Sequence, residues 1–138
     1  MEKQLNIIDL FCGCGGLSLG FENAGFNVLL GIDMWEDALV TYRHNHRNGN
    51  TLCADLATLS VEEVDKAINY EKVDVIIGGP PCQGFSIAGK RIVEDDRNKL
   101  YKSFVRMVAY FKPKAFVLET TEYLSETGKS FPHCFLIS

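Results

Sequence analysis

The sequence predicts an α/β protein, a Rossmann-like, doubly wound and mostly parallel sheet with helices on both faces. Three observations predict it. Short apolar, β-branched runs alternate with helically spaced apolar residues from the amino end onward. The first run leads into a glycine turn, Gly13-Cys14-Gly15-Gly16, that opens a helix. Later runs stop at an acidic residue or at a glycine-proline break, and parallel sheets put their chemistry at the carboxyl ends of strands.

The elements follow in order. Residues 5–11 read as a first strand, 17–24 as a helix closed by Gly25, and 26–32 as a second strand ending in Asp33. Trp35, Ala38, Leu39 and Tyr42 repeat at helical spacing, so a second helix runs to about Asn45, and Asn48-Gly49-Asn50 is a turn. Residues 51–54 give a weak third strand before Asp55. Ser60 and Glu63 form a capping box for a helix reaching about Tyr70. The run 73–77 is a fourth strand, halted by Gly78-Gly79-Pro80-Pro81. Leu100, Phe104, Met107, Val108 and Phe111 mark an amphipathic helix that Lys112-Pro113 ends, and 115–118 is a fifth strand before Glu119. Right-handed crossovers then give the order 3-2-1-4-5, with strands one and four side by side at the switch point.

A chain of 138 residues, 46% hydrophobic and 23% charged, has the composition of one soluble globular domain. Its apolar stretches are too short to span a bilayer, and no leader precedes the first strand, which predicts the cytoplasm and no membrane. The five cysteines (Cys12, Cys14, Cys53, Cys82, Cys134) include no Cys-x-x-Cys pair, which predicts reduced thiols rather than a disulfide framework or a metal site. His44 and His46 read as exposed residues at a helix end. The net charge of −4 does not advertise a nucleic-acid binder. Lys99, Lys102 and Arg106 share a helical face and read as solvated, whereas Lys90 and Arg91 lie in a loop, free to meet a phosphate backbone.

Cys82 carries the sharpest chemical signal. A core cysteine belongs inside an apolar run, but this one follows Gly79-Pro80-Pro81, on a stiff loop at the end of a strand. The glycine turn opens a helix whose amino terminus favours an anionic group. Asp33, ending the next strand, can hold the two hydroxyls of a ribose, and Asp55 can meet an adenine edge. Together they point to an adenosine-containing cofactor. Glu119 reads equally as a surface residue or as a carboxyl partner to the Cys82 thiolate in covalent attack on an electron-poor ring.

These residues resemble the amino-terminal part of DNA cytosine C5-methyltransferases. Asp9-Leu10-Phe11-Cys12-Gly13-x-Gly15-Gly16 is similar to their first motif, Gly79-Pro80-Pro81-Cys82-Gln83-Gly84-Phe85-Ser86 to their nucleophile motif, and Asp95-Asp96-Arg97-Asn98-Lys99-Leu100-Tyr101 to the next. The resemblance covers about residues 5–124 and implies S-adenosylmethionine as cofactor. It would be held by Asp9, Phe11, Gly13, Gly15, Gly16, Leu17, Asp33, Met34 (against the adenine), Asp55, Leu56, Pro80 and Leu100. The implied partner is double-stranded DNA with its target cytosine flipped out. The Cys82 thiolate attacks C6 while Glu119 engages N3, C5 takes the methyl group, and loss of the C5 proton releases the cysteine. An unperturbed thiol has a pKa near ~8.5, so such a site has to favour the thiolate.

Two departures stand out. Glu119-Thr120-Thr121 replaces the family's Glu-Asn-Val, and nothing in the chain matches the later motifs or the target-recognition region. The expectation is a partial catalytic domain over 1–124 with an unassigned tail, 125–138, from a truncated or split enzyme. A second chain would supply the missing motifs. Strand five would then keep an unpaired apolar edge prone to association. The rival readings are a non-catalytic cofactor- or partner-binding remnant and an RNA cytosine methyltransferase. A dinucleotide oxidoreductase would have no use for the Pro-Pro-Cys loop.

Overall fold

The computed structural model describes residues 3–81, 97–122 and 131–137. Among these, strands β1 (Asn6–Leu10), β2 (Asn27–Asp33), β3 (Thr51–Cys53), β4 (Val75–Gly78), β5 (Ala115–Glu122) and β6 (Phe131–Ile137) form one sheet in the order β3-β2-β1-β4-β5-β6. The first five are parallel, as the alternation of elements requires, and α1 (Gly16–Asn23), α2 (Glu36–Asn45), α3 (Val61–Ala67) and α4 (Arg97–Phe111) connect or flank them. No helix among the described residues is long and apolar enough to cross a membrane.

The central strands are mostly apolar because both faces of the sheet are covered. Successive side chains point to opposite faces, so Ile7 and Ile8 enter different cores. Ile8, Leu10, Ile32 and Ile76 pack with Val64, Phe104 and Met107 on the α3/α4 side. Ile7, Val28, Val75, Ile77 and Val117 pack with Leu17 and Phe21 of α1 on the other. The capping box is made as expected: the Glu63 amide donates to Ser60 Oγ at 3.2 Å, and the Ser60 amide donates to the Glu63 carboxylate at 3.0 Å. The helix it opens ends at Ala67 rather than near Tyr70, because Asn69 and Tyr70 turn left-handed, with φ of 55° and 58°.

Polar side chains fasten the amino ends of the strands. The Asn27 side-chain amide donates to Asn6, and that of Asn48 donates to Asn27. Asp74 is buried, which alone would raise its carboxyl, but the Asn6 amide and the Lys114 ammonium outweigh burial and hold it below its ordinary value. The opposite, carboxyl edge is left for the site.

Three expectations need correction. The tail carries β6, which pairs antiparallel with β5 from Phe116↔Ile137 to Glu122↔Phe131, so β5 is not an open edge. His46 is buried rather than exposed: its ring stacks on Tyr42 and its Nδ1 meets the Glu22 carboxylate at 3.1 Å. Arg106 is not merely solvated. Its guanidinium donates to the Leu56 and Leu59 carbonyls at 3.2 and 2.7 Å, tying α4 to the segment after β3.

Candidate active site at the carboxyl edge of the sheet

Register decides which residues meet at this edge. Leu10 pairs with Ile32 and with Gly78, Asp33 with Cys53, and Gly78 with Leu118. The parallel ladders therefore end together, and Phe11, Gly79 and Glu119 come immediately after their ends. Glu119 itself lies inside β5, not past it, because β6 extends that strand beyond its ladder with β4.

A cleft of about 160 Å³ opens there, lined by Phe11, Asp33, Met34, Ala54, Asp55, Leu56, Gly79, Pro81 and Leu100. Six of these walls are residues that the sequence assigns to the cofactor: Phe11, Asp33, Met34, Asp55, Leu56 and Leu100. Ala54, Gly79 and Pro81 are additions. Each directly adjoins a residue already singled out, so proximity in the chain was the available signal. Asp9, Gly13, Gly15, Gly16, Leu17 and Pro80 do not line this cleft. Cys82 lies outside the described residues, as do Lys90, Arg91, Asp95 and Asp96.

Asp33 is placed by the glycine turn as much as the turn is placed by it. Its Oδ2 accepts the Gly13 amide and its Oδ1 the Trp35 amide, each at 2.9 Å. Each carboxylate oxygen can accept a second hydrogen bond, so the group keeps capacity for hydroxyl donors in the cleft. Asp55 accepts the Ala57 amide at 2.9 Å, a local turn that fixes its exposed carboxylate beside Leu56. Exposed Glu119 faces the start of the proline loop: its Oε2 lies 3.8 Å from where a Cβ on Gly79 would sit. That places the carboxylate beside Gly79, which precedes Cys82 by three positions.

Asp9 sits beneath the glycine turn rather than in the cleft. It is 1% exposed and accepts a hydrogen bond from Ser18 Oγ, which in turn accepts one from the Tyr42 hydroxyl at 3.1 Å. Burial pushes its carboxyl from 3.8 up to about 7; the Ser18 bond opposes this, and the negative charges of Asp33 and Glu119 add to it. The sign of the linkage follows. Between about pH 4 and pH 7 the unfolded chain ionises this carboxyl and the folded chain does not, so stability is lost as pH rises through that window. Such a shift is worth on the order of 4 kcal/mol at most. Asp9→Asn keeps an acceptor for Ser18 and removes the titration. Its unfolding free energy, relative to wild type, is expected to rise between pH 4.5 and pH 7.5 in urea titrations; a difference independent of pH would count against it.

Apolar walls flanking two carboxylates, one on each neighbouring strand end, suit a flat heterocycle carrying a diol. Comparison with known proteins agrees with this geometry. The Type II methyltransferase M1.HphI of Haemophilus parahaemolyticus is 50% identical over 124 residues, covering 88% of this chain and 33% of its own length. The Type II methyltransferase M.HgiGI of Herpetosiphon aurantiacus is 41% identical over 121 residues, covering 86% of this chain and 91% of its own. A crystal structure of an E. coli prophage-encoded protein, described as a DNA modification methyltransferase, superposes with a TM-score of 0.76 at 38% identity, covering 89% of this chain and 34% of that one. The chain thus spans about a third of the length of M1.HphI and of similar relatives. The family model for C-5 cytosine-specific DNA methylases matches residues 5–135, nearly the whole chain. With that match and a relative such as M.HgiGI covered over nearly its whole length, the chain belongs to the C-5 cytosine-specific DNA methylase family.

Proposed function

We propose that this chain carries the cofactor site and the nucleophile of a DNA cytosine C5-methyltransferase of the bacterial Type II kind, acting on cytoplasmic DNA. The observation that carries the reading is the common end of the parallel ladders. It gathers Phe11, Asp33, Asp55, the Gly79-Pro80-Pro81 loop and Glu119 at one edge of the sheet.

In this reading the cleft holds S-adenosylmethionine. Asp33 accepts from the ribose hydroxyls, Asp55 meets the adenine edge, and Phe11, Met34, Leu56 and Leu100 enclose the base. Asp9 acts from below, through Ser18, on the turn that carries Gly13, Gly15 and Gly16. Leu17 and Pro80 shape the flanks. When bound, the cofactor supplies an electrophilic methyl group on a sulfonium.

Cys82 and Glu119 do the work on the cytosine. The Cys82 thiolate adds to C6, and the ring electron pair moves toward C5 and N3 while Glu119 gives or shares a proton at N3. C5 thereby becomes nucleophilic. Loss of the C5 proton after methylation expels the cysteine as thiolate and restores the aromatic ring. Flipping the base out of the duplex gives both groups access to opposite parts of one ring.

Tritiated methyl transfer tests this directly. With the chain reconstituted with a second chain that supplies the missing motifs, label is expected in a cytosine-containing duplex and not in one whose cytosines are already 5-methylated. Label entering RNA but not DNA would reassign the substrate, and label entering neither would contradict the enzymatic reading.

A further inference from the structure

Five buried or half-buried groups under the glycine turn belong to no step of this chemistry. His46 and Glu22 pair at 3.1 Å with side chains only 1% and 8% exposed. The His46 ring stacks on Tyr42, centroids 3.9 Å apart and planes 23° apart. Tyr42 reaches on through Ser18 to Asp9. One atom in this assembly has no hydrogen-bond partner: His46 Nε2.

That atom points at Gly15. A Cβ added at Gly15 would lie 2.1 Å from His46 Nε2 and 2.6 and 2.8 Å from the Tyr42 ring. With Nδ1 facing the Glu22 carboxylate, Nε2 is the ring nitrogen that lies against the Gly15 backbone. Gly15 is left-handed, φ 91°, and it begins the helix: its amide donates to the Cys12 carbonyl at 2.9 Å and its carbonyl accepts the Leu19 amide at 2.9 Å. A histidine from one helix end is thus inserted into the bend of the turn that opens another.

We propose that His46 is a positioning residue of the glycine turn. Clamped by Glu22 and stacked on Tyr42, it fills the space beside Gly15 and holds residues 13–16 in the shape that meets the cofactor. The ligand part of this statement rests on the cofactor reading above. The turn geometry does not.

Amide hydrogen exchange on the ligand-free chain, followed by calorimetric titration with S-adenosylhomocysteine, tests it. In His46→Ala the Gly15 amide is expected to exchange about tenfold faster, equal to about 1.4 kcal/mol, with the Ile76 amide of the core strand unchanged. Affinity is expected to fall by a similar factor. His46→Gln, whose amide can still donate to Glu22 and lie flat on Tyr42, is expected to restore most of both. Val73→Ala, a core change at the amino end of the sheet, is expected to lower global stability and move neither. An unchanged Gly15 amide in His46→Ala, or an equal loss in Val73→Ala, overturns the proposal. If the folded wild type shows no heat of binding, the cofactor reading fails, and the exchange rates still decide the role of His46.

Discussion

DNA carrying 5-fluorocytosine is expected to capture the wild-type chain, alone or reconstituted with a second chain that supplies the missing motifs, as a covalent complex that survives denaturation, and Cys82→Ser is expected to form none. After methylation, release of the nucleophile requires a proton to leave C5. Fluorine in its place cannot leave as a cation, so the sulfur–C6 bond persists and the adduct accumulates. A serine hydroxyl titrates far above a thiol and lacks its nucleophilicity, so the substitution removes the attacking group while changing little in size. Capture should require S-adenosylmethionine. Persistence of the adduct in Cys82→Ser would assign the attack to another residue; Cys14 and Cys53 are the exposed alternatives among the described residues.

Glu119→Gln is expected to slow formation of that adduct by about 10²- to 10⁴-fold, the usual worth of a positioned acid or base. The amide still reaches N3 but cannot hand over a proton, so the loss falls on the rate of the covalent step rather than on DNA affinity. The geometry makes the prediction specific. Glu119 Oε2 stands 3.8 Å from where a Cβ on Gly79 would sit, at the root of the proline loop. Single-turnover kinetics separate the two effects. A variant that traps 5-fluorocytosine DNA at the wild-type rate would return Glu119 to an ordinary exposed residue.

Much of this edge was legible because local pattern and topology agree. Apolar runs at 5–11, 26–32 and 73–77 could only be buried parallel strands, and the residues that stop them, Asp33 and the Gly-Gly-Pro-Pro break, had to fall at the carboxyl edge. Ser60 and Glu63 specify their own bonds three residues apart. Where the reading failed, the deciding contact was distant or the pattern was disguised. Arg106 caps carbonyls some fifty positions away, which no helical wheel shows. His46 was within reach: it continues the buried face of Tyr42 by one turn, but polarity argued for solvent. Pro132 disguised β6, since proline argues against a central strand; on an edge strand, as here, its missing donor can face outward. Asp9 read as a ligand-facing residue from its motif, and strand alternation instead turns it inward to Ser18.

In the proposed function, the cleft at the ends of β1, β2 and β3 is an adenosyl site anchored by Asp33. Titration calorimetry of S-adenosylmethionine into wild type and Asp33→Ala tests it most directly. The wild type is expected to bind. Asp33→Ala loses its acceptors for the ribose and its hold on the Gly13 and Trp35 amides, and hydrogen bonds to a charged group are worth about 1.5–3 kcal/mol, so binding should weaken by about ten- to a hundredfold or more. A folded wild type that gives no heat, or an Asp33→Ala variant that binds as tightly as wild type, would contradict the account.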